Sequence, residues 1–364
     1  MKKLLIVGAY GTGNIGDEAL LSGLLNLLQK TNQSKNQKKM DVVVFSRTPQ
    51  ETTKLHHMQA KRKNLFDFIT ASELILGGGE LFQDRGFMAL KYSFLIIAAK
   101  ILRKKVSLIG IGVSEIVNSV GRFLTKISFK IADNISVRNE KSKTNLFNLG
   151  VNRKILVEPD LSFHLAAISK KEAYSILERE KIMLHPKDFV IGIVLQYIPH
   201  SCWKQQDSFE IAQSFVGVIN KMLKNLNCQV IFIPFNKHKD KNYDDDVIYG
   251  KKIKKLIRNG RFNIISKLYK PQEVKGIIKL FDLIVSTRLH PLIFANSVGV
   301  HCIGIDVFEK VKSYCRENNI PTVGLDEIDK INILSERIYE RKIKTQPINL
   351  DQTFQNKQTN STTD

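Results

Sequence analysis

The first twenty residues constrain this chain more than any other stretch. Leu4-Leu-Ile-Val7 is a short unbroken apolar run, as expected of a parallel strand covered on both faces. It breaks at Gly8 into a turn carrying Gly11, Gly13 and Gly16, and Asp17 then opens an amphipathic helix. Strand, glycine turn and helix N-terminus present bare backbone amides at the carboxyl edge of a sheet, where open α/β folds take anionic ligands. The expected fold class is therefore α/β, and the expected ligand an anionic small molecule.

The spacing Gly11-x-Gly13-x-x-Gly16 also satisfies the dinucleotide fingerprint. Against that reading, Asp17 and Glu18 occupy the helix start where a pyrophosphate would sit; carboxylates there suit the helix dipole but repel a phosphate. The next strand closes on Ser46-Arg47 rather than on an acidic residue. Arg47 suits a 2′-phosphate, so an NADP oxidoreductase stays as a minor alternative. The bland alternative is a tight turn with close helix–sheet packing. Asn14 and the Asp17-Glu18 pair go beyond what a turn needs and predict a polar cluster facing the crevice.

Strands and helices alternate along the whole chain, the mark of βαβ units. Strands are expected at Lys3–Val7, Asp41–Ser46, Leu74–Leu76, Val106–Gly110, Asn134–Val137 and Ile155–Val157. Helices are expected at Glu18–Leu28, Phe87–Leu102, Val120–Ile131 and Lys141–Leu149. The charged stretch Ser169–Lys187 reads as a helical junction. A second series follows, with strands at Phe189–Leu195, Gln229–Pro234, Phe262–Ile265, Leu283–Ser286 and Cys302–Ile305. Its helices are Phe209–Leu226, Val247–Arg258, a short one after Pro271, Leu289–Ser297 and Glu327–Lys342. The economical architecture is two doubly wound Rossmann-like domains, 1–168 and 188–345, facing across a cleft. The tail 346–364, rich in Gln, Asn and Thr, is expected to be disordered.

At 364 residues, each half can bury its own core. Fifty-six Lys and Arg against thirty-five Asp and Glu give a net charge of +21. A Lys-rich solvated surface explains part of that; an anionic substrate or an anionic membrane surface explains it functionally. No Arg-rich tract, recognition helix or zinc knuckle argues for nucleic acid. Cys202, Cys228, Cys302 and Cys315 form no metal or disulfide spacing, which points to a reducing cytoplasm. The apolar run after Lys2-Lys3 is too short for a signal peptide.

Several constellations carry chemistry. Gly77-Gly78-Gly79 follows a strand and reads as a second glycine turn, with Gln83 and Asp84 placed to bond sugar hydroxyls. Arg138 stands at the tip of Ile135-Ser-Val137, and Asp160 ends another strand. Leu283–Ser286 runs into Thr287-Arg288-Leu289-His290-Pro291, with the proline suited to a first helical turn. Arg288 and His290 thus meet at a strand tip and helix N-terminus, where nearby positive charge favours neutral imidazole, a usable base. Two guanidiniums suit an anion carrying both carboxylate and phosphate, and Lys310 adds a third cation. His200, Cys202 and His238 lack metal-ligand regularity.

Together these residues resemble the polysaccharide pyruvyl transferase family. The resemblance rests on Ala9–Ala19, Gly77–Asp84, Ser136–Ser142, Pro159–Phe163 and Arg288–His290, in order across residues 4 to about 312. The family pattern usually has Asp where this chain has Asn139 and Ala where it has Pro291. The resemblance implies a GT-B-like fold with the active site in the interdomain cleft. It also implies transfer of pyruvate from phosphoenolpyruvate onto two hydroxyls of a sugar as a cyclic ketal, without cofactor or metal. By position, Arg138, Arg288, Leu289 and His290 would hold phosphoenolpyruvate, with His290 as acid/base and Asp17 its partner across the cleft. Gly11, Gly13, Asn14, Gly16, Gly78 and Gly79 would shape the side taking a lipid-linked or nucleotide-linked saccharide. A nucleotide-sugar glycosyltransferase and a non-catalytic anion-binding protein on the same fold are the alternatives.

Overall fold

The computed structural model describes residues 3–34, 41–84, 87–198, 208–237, 245–257 and 259–345. The tail 346–364, His200, Cys202, His238 and Arg258 lie outside the described residues. The first half runs β1 (Lys3–Val7), α1 (Ile15–Ser34), β2 (Asp41–Phe45), α2 (Pro49–His56), β3 (Ala60–Lys61), α3 (Leu65–Thr70) and β4 (Glu73–Phe82). It continues with α4 (Met88–Ile101), β5 (Lys105–Val113), α5 (Ser119–Ile131), β6 (Asn134–Val137), α6 (Glu140–Asn148) and β7 (Leu156–Val157). A single 3₁₀ turn, Leu161–His164, and α7 (Lys170–Arg179) lead to the second half. There follow β8 (Phe189–Val194), α8 (Ser208–Asn225), β9 (Cys228–Phe232), α9 (Asp246–Leu256), β10 (Phe262–Ile264), α10 (Pro271–Ile278) and β11 (Leu283–Ser286). The chain closes with α11 (Leu289–Ser297), β12 (His301–Ile305), α12 (Glu309–Glu317), β13 (Thr322–Val323) and α13 (Lys330–Thr345).

Both sheets are parallel and wound in the same order. The first runs β3-β2-β1-β4-β5-β6-β7 and the second β10-β9-β8-β11-β12-β13. Strand order reverses between β1 and β4, and again between β8 and β11, opening a crevice at each carboxyl edge. In β1, Leu5 and Val7 join the cluster with Phe82 and Phe129, while Leu4 and Ile6 pack with Leu20, Leu24 and Leu161. That two-sided burial is why the strand reads as an unbroken apolar run.

The glycine triplet departs from expectation. Gly77, Gly78 and Gly79 do not reverse the chain; they lie inside the ten-residue β4, paired in register with β5, and the register shifts only beyond them, between Gly79 and Phe82. Gly78 and Gly79 have φ of +65° and +85°, so the strand kinks where only glycine does so without strain. The charged junction also differs. Helix α7 stops at Arg179, and Lys181 takes a left-handed φ of 58°. Segment 165–182 then packs on the second domain through Leu165, Ala173, Ile176 and Ile182.

The halves are stitched together by the opening motif. The Ile15 amide donates to the Phe235 carbonyl (2.9 Å) and the Lys237 amide to the Gly13 carbonyl (3.0 Å), while Ile15 and Ala19 enter the core of the second domain. Gly13, at φ +84°, makes this possible: a Cβ there would stand 2.2 Å from the Lys237 carbonyl oxygen. No described helix is long and apolar enough to cross a membrane.

Gly13→Ala is expected to lower stability by about 1–3 kcal/mol, from left-handed strain and the backbone clash. Gly217→Ala, in α8 with nothing within 4 Å of the new methyl, is expected to raise it by about 0.4–1 kcal/mol. Thermal melts of the two variants check this; equal midpoints would remove the special role of Gly13.

Candidate active site

The two crevices face each other and enclose a cavity of about 280 Å³. Its walls come from the carboxyl ends of strands in both domains. The first domain supplies Asn14 and Asp17 after β1, Gly79, Glu80 and Gln83 around the end of β4, and Arg138 after β6. The second supplies Gln196 after β8, Phe235 after β9, Arg288 to Pro291 after β11, and Lys310.

Arg138 is held on three sides. Its side chain is largely buried, with Nη2 3.6 Å from Glu80 Oε2. Gly112 in β5 leaves the slot it occupies: a Cβ there would lie 2.8 Å from Nε and 2.9 Å from Cζ. Asn139 starts α6, its Oδ1 accepting from the Ser142 amide (3.0 Å) and hydroxyl (2.6 Å). An amide oxygen serves this cap as a carboxylate would, so Asn139 in place of the usual Asp keeps the helix start beside Arg138 intact. Burial raises the pKa of Glu80, but Arg138, the Ser114 hydroxyl and Lys310 outweigh it and leave the carboxyl below its ordinary value.

Arg288 precedes α11, and its guanidinium Nη2 donates to Asp246 Oδ1 at 2.6 Å. Asp246 is buried, and its other oxygen accepts from the Phe235 (2.9 Å) and Asn236 (3.0 Å) amides. The Ser286 hydroxyl accepts from the Arg288 amide (2.9 Å), while Thr287 Oγ1 accepts from the Gln196 amide (3.0 Å). The first-turn amides of α11, at Leu289 and His290, open toward the same edge and lack intrahelical partners. The Leu289 side chain is in the core of the second domain.

His290 lines the cavity, and its Nε2 is enclosed with no hydrogen-bond partner among the described residues. Gly16 lies against the other ring nitrogen: a Cβ there would be 2.1 Å from Nδ1. Burial first, then Arg138, Lys310 and Arg288, push the imidazole down to about 4, against the opposing pull of Asp160. Asp160 is buried; Oδ1 accepts from the Ser162 amide (2.9 Å) and hydroxyl (2.6 Å), and Oδ2 has no partner among the described residues. Asp17 moves the other way. Burial, assisted by Glu18 and opposed by Lys310, Thr12 and Arg138, raises it to about 7. Between about pH 4 and 7 the site therefore offers a carboxyl that keeps a proton and an imidazole that lacks one. Lys310 is lowered by burial of its surroundings and by Arg138 and Arg288, with Glu80 and Asp17 opposing.

The structure brings together Asp17, Asn14, Gly79, Gln83, Arg138, Arg288, Leu289, His290 and Lys310. Other expected ligand residues lie outside this cavity's lining. Gly11 (φ +71°) lines a separate recess and sits where a Cβ would meet Ser46 Oγ at 2.1 Å. Gly13 and Gly16 admit the second domain, and Gly78 packs on Leu20 and Leu161. Asp84 accepts from the Val117 (2.6 Å) and Asn118 (3.3 Å) amides and lies outside the cavity lining. Glu18, expected to face the crevice, is buried instead: Oε1 accepts from the Gly11 amide (2.8 Å) and Oε2 pairs with His56 Nε2 (2.7 Å). Asp246, Glu80 and Gln196 were not singled out by the sequence. Asp246 ends an Asp-rich run that reads as solvated surface, and the sign of its importance is the apolar Val247-Ile248-Tyr249 that follows it at the start of α9.

A profile of the family described as polysaccharide pyruvyl transferase matches residues 14–307, most of the chain. The chain belongs to the polysaccharide pyruvyl transferase family. A comparison with curated protein sequences gives no significant match. Among solved structures, UDP-GlcNAc 2-epimerase from Methanocaldococcus jannaschii is similar at 15% identity and TM-score 0.61, covering 93% of this chain and 92% of that one. S. aureus MnaA bound to UDP is similar at 10% identity and TM-score 0.63 (93% and 90% covered). Anabaena Alr3699/HepE in complex with UDP and glucose is similar at 13% identity and TM-score 0.57 (95% and 92%). At such identities the likeness establishes the fold: this pyruvyl transferase family member shares the GT-B architecture of these neighbours.

Raising the pKa of Asp17 has a stability consequence. The folded state holds that proton up to about pH 7 and the unfolded state releases it near 3.8, so wild-type stability falls as pH rises between those values. Asp17→Asn removes the cost of ionisation. It is expected to melt several degrees higher than wild type at pH 8 and at the same temperature at pH 3.5, by calorimetry. A variant less stable than wild type at pH 8 would refute the raised carboxyl.

Proposed function

We propose that this protein transfers the pyruvyl group of phosphoenolpyruvate onto two hydroxyls of a sugar in a cell-envelope or exopolysaccharide precursor, forming a cyclic ketal. The observation that carries the reading is a single cavity lined by Arg138, Arg288 and Lys310 together with a His290 Nε2 that has no partner among the described residues. Three cations in one small enclosure suit a small molecule bearing phosphate and carboxylate together. Membership of the family supports the transferase class.

The chemistry follows from the proton inventory. Protonated Asp17 gives its proton to the methylene carbon, which becomes a methyl group and leaves positive charge at the adjacent carbon. Neutral His290 takes the proton of one sugar hydroxyl as its oxygen bonds to that carbon. The bond to the phosphate oxygen breaks, its electron pair leaving with phosphate, which the cations stabilise. The neighbouring hydroxyl closes the ring; its proton leaves through His290 or phosphate. Two hydroxyl protons are lost, one replacing that of Asp17 and one ending on phosphate. Each positioned acid or base contributes about 10²–10⁴-fold.

Phosphate release from phosphoenolpyruvate, dependent on an added saccharide, is the direct test. A glycosyltransferase would instead show saturable nucleotide-diphosphate binding without such release. Arg138→Ala is expected to raise KM for phosphoenolpyruvate by about 10–100-fold, the worth of a charge-assisted contact; an unchanged KM would take Arg138 off the donor. The kcat/KM profile is expected to rise with pH through about 4, as His290 loses its proton, and fall through about 7, as Asp17 does. In Asp17→Asn the alkaline limb should disappear along with most of the rate; a wild-type limb in that variant would assign it elsewhere.

A further inference from the structure

A buried imidazole ringed by cations resists taking a proton. Arg138 after β6, Lys310 on α12 and Arg288 just ahead of α11 all disfavour the imidazolium that forms when His290 accepts the proton of a sugar hydroxyl. A base in that setting needs a negative charge of its own. Arg47, Arg62, Lys63 and Lys91 stand apart from this group, lining a neighbouring recess of about 820 Å³ at the ends of β2 and β3 and on α4.

Most carboxyl groups near the ring are already committed. Asp17 on α1 keeps its proton up to about pH 7. Glu18 on the same helix bonds the Gly11 amide and His56. Glu80 stands against Arg138 and accepts from the Ser114 hydroxyl. Asp246 uses both oxygens, one on Arg288 and one on the Phe235 and Asn236 amides. Asp160 differs. Its Oδ1 accepts from the Ser162 amide and hydroxyl, while Oδ2 is buried with no partner among the described residues. Asp160 does not line the cavity. After burial, its charge is the strongest influence on the His290 ring, and it favours the protonated form.

The fold fixes Asp160 from both domains. The Glu158 amide donates to the Val137 carbonyl (2.9 Å) and prolongs the β6–β7 pairing, so Arg138 and Asp160 leave neighbouring strands at one carboxyl edge. Asp160 then caps the 3₁₀ turn Leu161–His164, which packs against α11, the helix that carries His290. Gly23 in α1 lets that turn approach: a Cβ there would stand 1.9 Å from the Leu161 carbonyl oxygen. From the second domain, the buried Lys275 of α10 donates to the Leu165 carbonyl (2.8 Å) just beyond the turn. A carboxylate on so constrained a turn cannot swing out to solvent.

We propose that Asp160 is a positioning residue for the transfer: its unpartnered carboxylate oxygen is the counter-charge that steadies the His290 ring while the ring holds the sugar proton. The proton stays on the imidazole, and Asp160 neither gives nor takes one. This deepens the transferase reading, on which the role of His290 as base rests.

The test compares wild type with Asp160→Asn, which keeps an oxygen for Ser162 and removes the charge, and with Asp160→Ser, a second uncharged capping side chain. Circular dichroism identifies the variants that fold. Without the negative charge the ring gives up its proton at lower pH. The acid limb of kcat/KM is therefore expected to move below the wild-type value of about 4, and so is the His290 ring titration, followed by NMR of histidine-labelled protein without substrate. The kcat should fall about tenfold or more, with KM for phosphoenolpyruvate held within about threefold. Asp160→Glu keeps the charge and should recover most of the rate. In a His290→Gln background, Asp160→Asn should cost less than about twofold, since its effect passes through the ring. Ser162→Ala loosens the cap and keeps the charge; it should lower the melting temperature and leave the limb in place.

An unmoved ring titration in the neutral variants overturns the proposal, as does an Asp160→Asn loss that persists undiminished in the His290→Gln background. A limb displaced equally by Ser162→Ala overturns it in favour of a purely structural cap. The ring titration needs no turnover, so the two readings fail separately. A displaced ring titration in variants of a protein that releases no phosphate with any saccharide would sink the transferase reading alone. Saccharide-dependent release with an undisplaced ring would sink the role of Asp160 alone.

Discussion

One buried carboxylate holds the site together. Asp246 grips the Arg288 guanidinium with one oxygen and the amides of Phe235 and Asn236 with the other. Those two residues belong to the short segment whose backbone bonds Gly13 and Ile15 of the opposite domain. A single side chain thus links the orientation of a cation lining the cavity to the seam between domains. Burial alone raises the pKa of Asp246, while the Arg288 guanidinium and the two amides oppose it. A buried charge is tolerated when paired and fully hydrogen-bonded, and its removal strands the partner. Replacing Asp246 would therefore disturb Arg288 and the seam at once.

The opening motif gains a structural meaning from this. Gly13 admits the backbone at Lys237 and Gly16 admits the His290 ring. Close approach places Asp17 and His290 on facing walls of one enclosure. Their environments then separate their proton affinities in opposite directions, a carboxyl raised and an imidazole lowered by the same shortage of water. Two groups driven apart in this way supply an acid and a base at one pH. Folding bears the cost of both shifts.

Fold and site were legible to different depths. The apolar runs of β1, β8 and β11 identified two parallel sheets because strands covered on both faces have no polar side to show. Arg138, Arg288 and His290 could be placed at the ligand edge because each stands within a few residues of the carboxyl end of such a run, where a parallel sheet opens its crevice. Gly77 to Gly79 misled for a physical reason: glycine marks turns and strand kinks alike, and only the register with β5 distinguishes them. Asp246 was illegible because its partner is forty-two residues away, reached only after two further strands have formed. Asp84 and Glu18 look like ligand groups in sequence; loop amides and His56 claim them through contacts no spacing reveals.

The net charge of +21 was the least specific observation in the sequence and becomes specific only by location. Many lysines lie in ion pairs or on solvated helix faces, where they say little about ligands. Those in the cavity stand against Glu80, Asp17 and Asp246, so its field is mixed and suits a reaction in which charge moves. Those in the neighbouring recess face no carboxylate among the described residues, so its field there is of one sign and suits holding rather than transforming an anion. The first domain thus separates two tasks along its sheet edge. Charges that must change protonation are interleaved with opposites near the β1–β4 crossover, and charges that must only attract are grouped at β2 and β3. A bound anion in that recess would relieve repulsion that the folded protein otherwise carries, so binding there is coupled to stability through the same electrostatics.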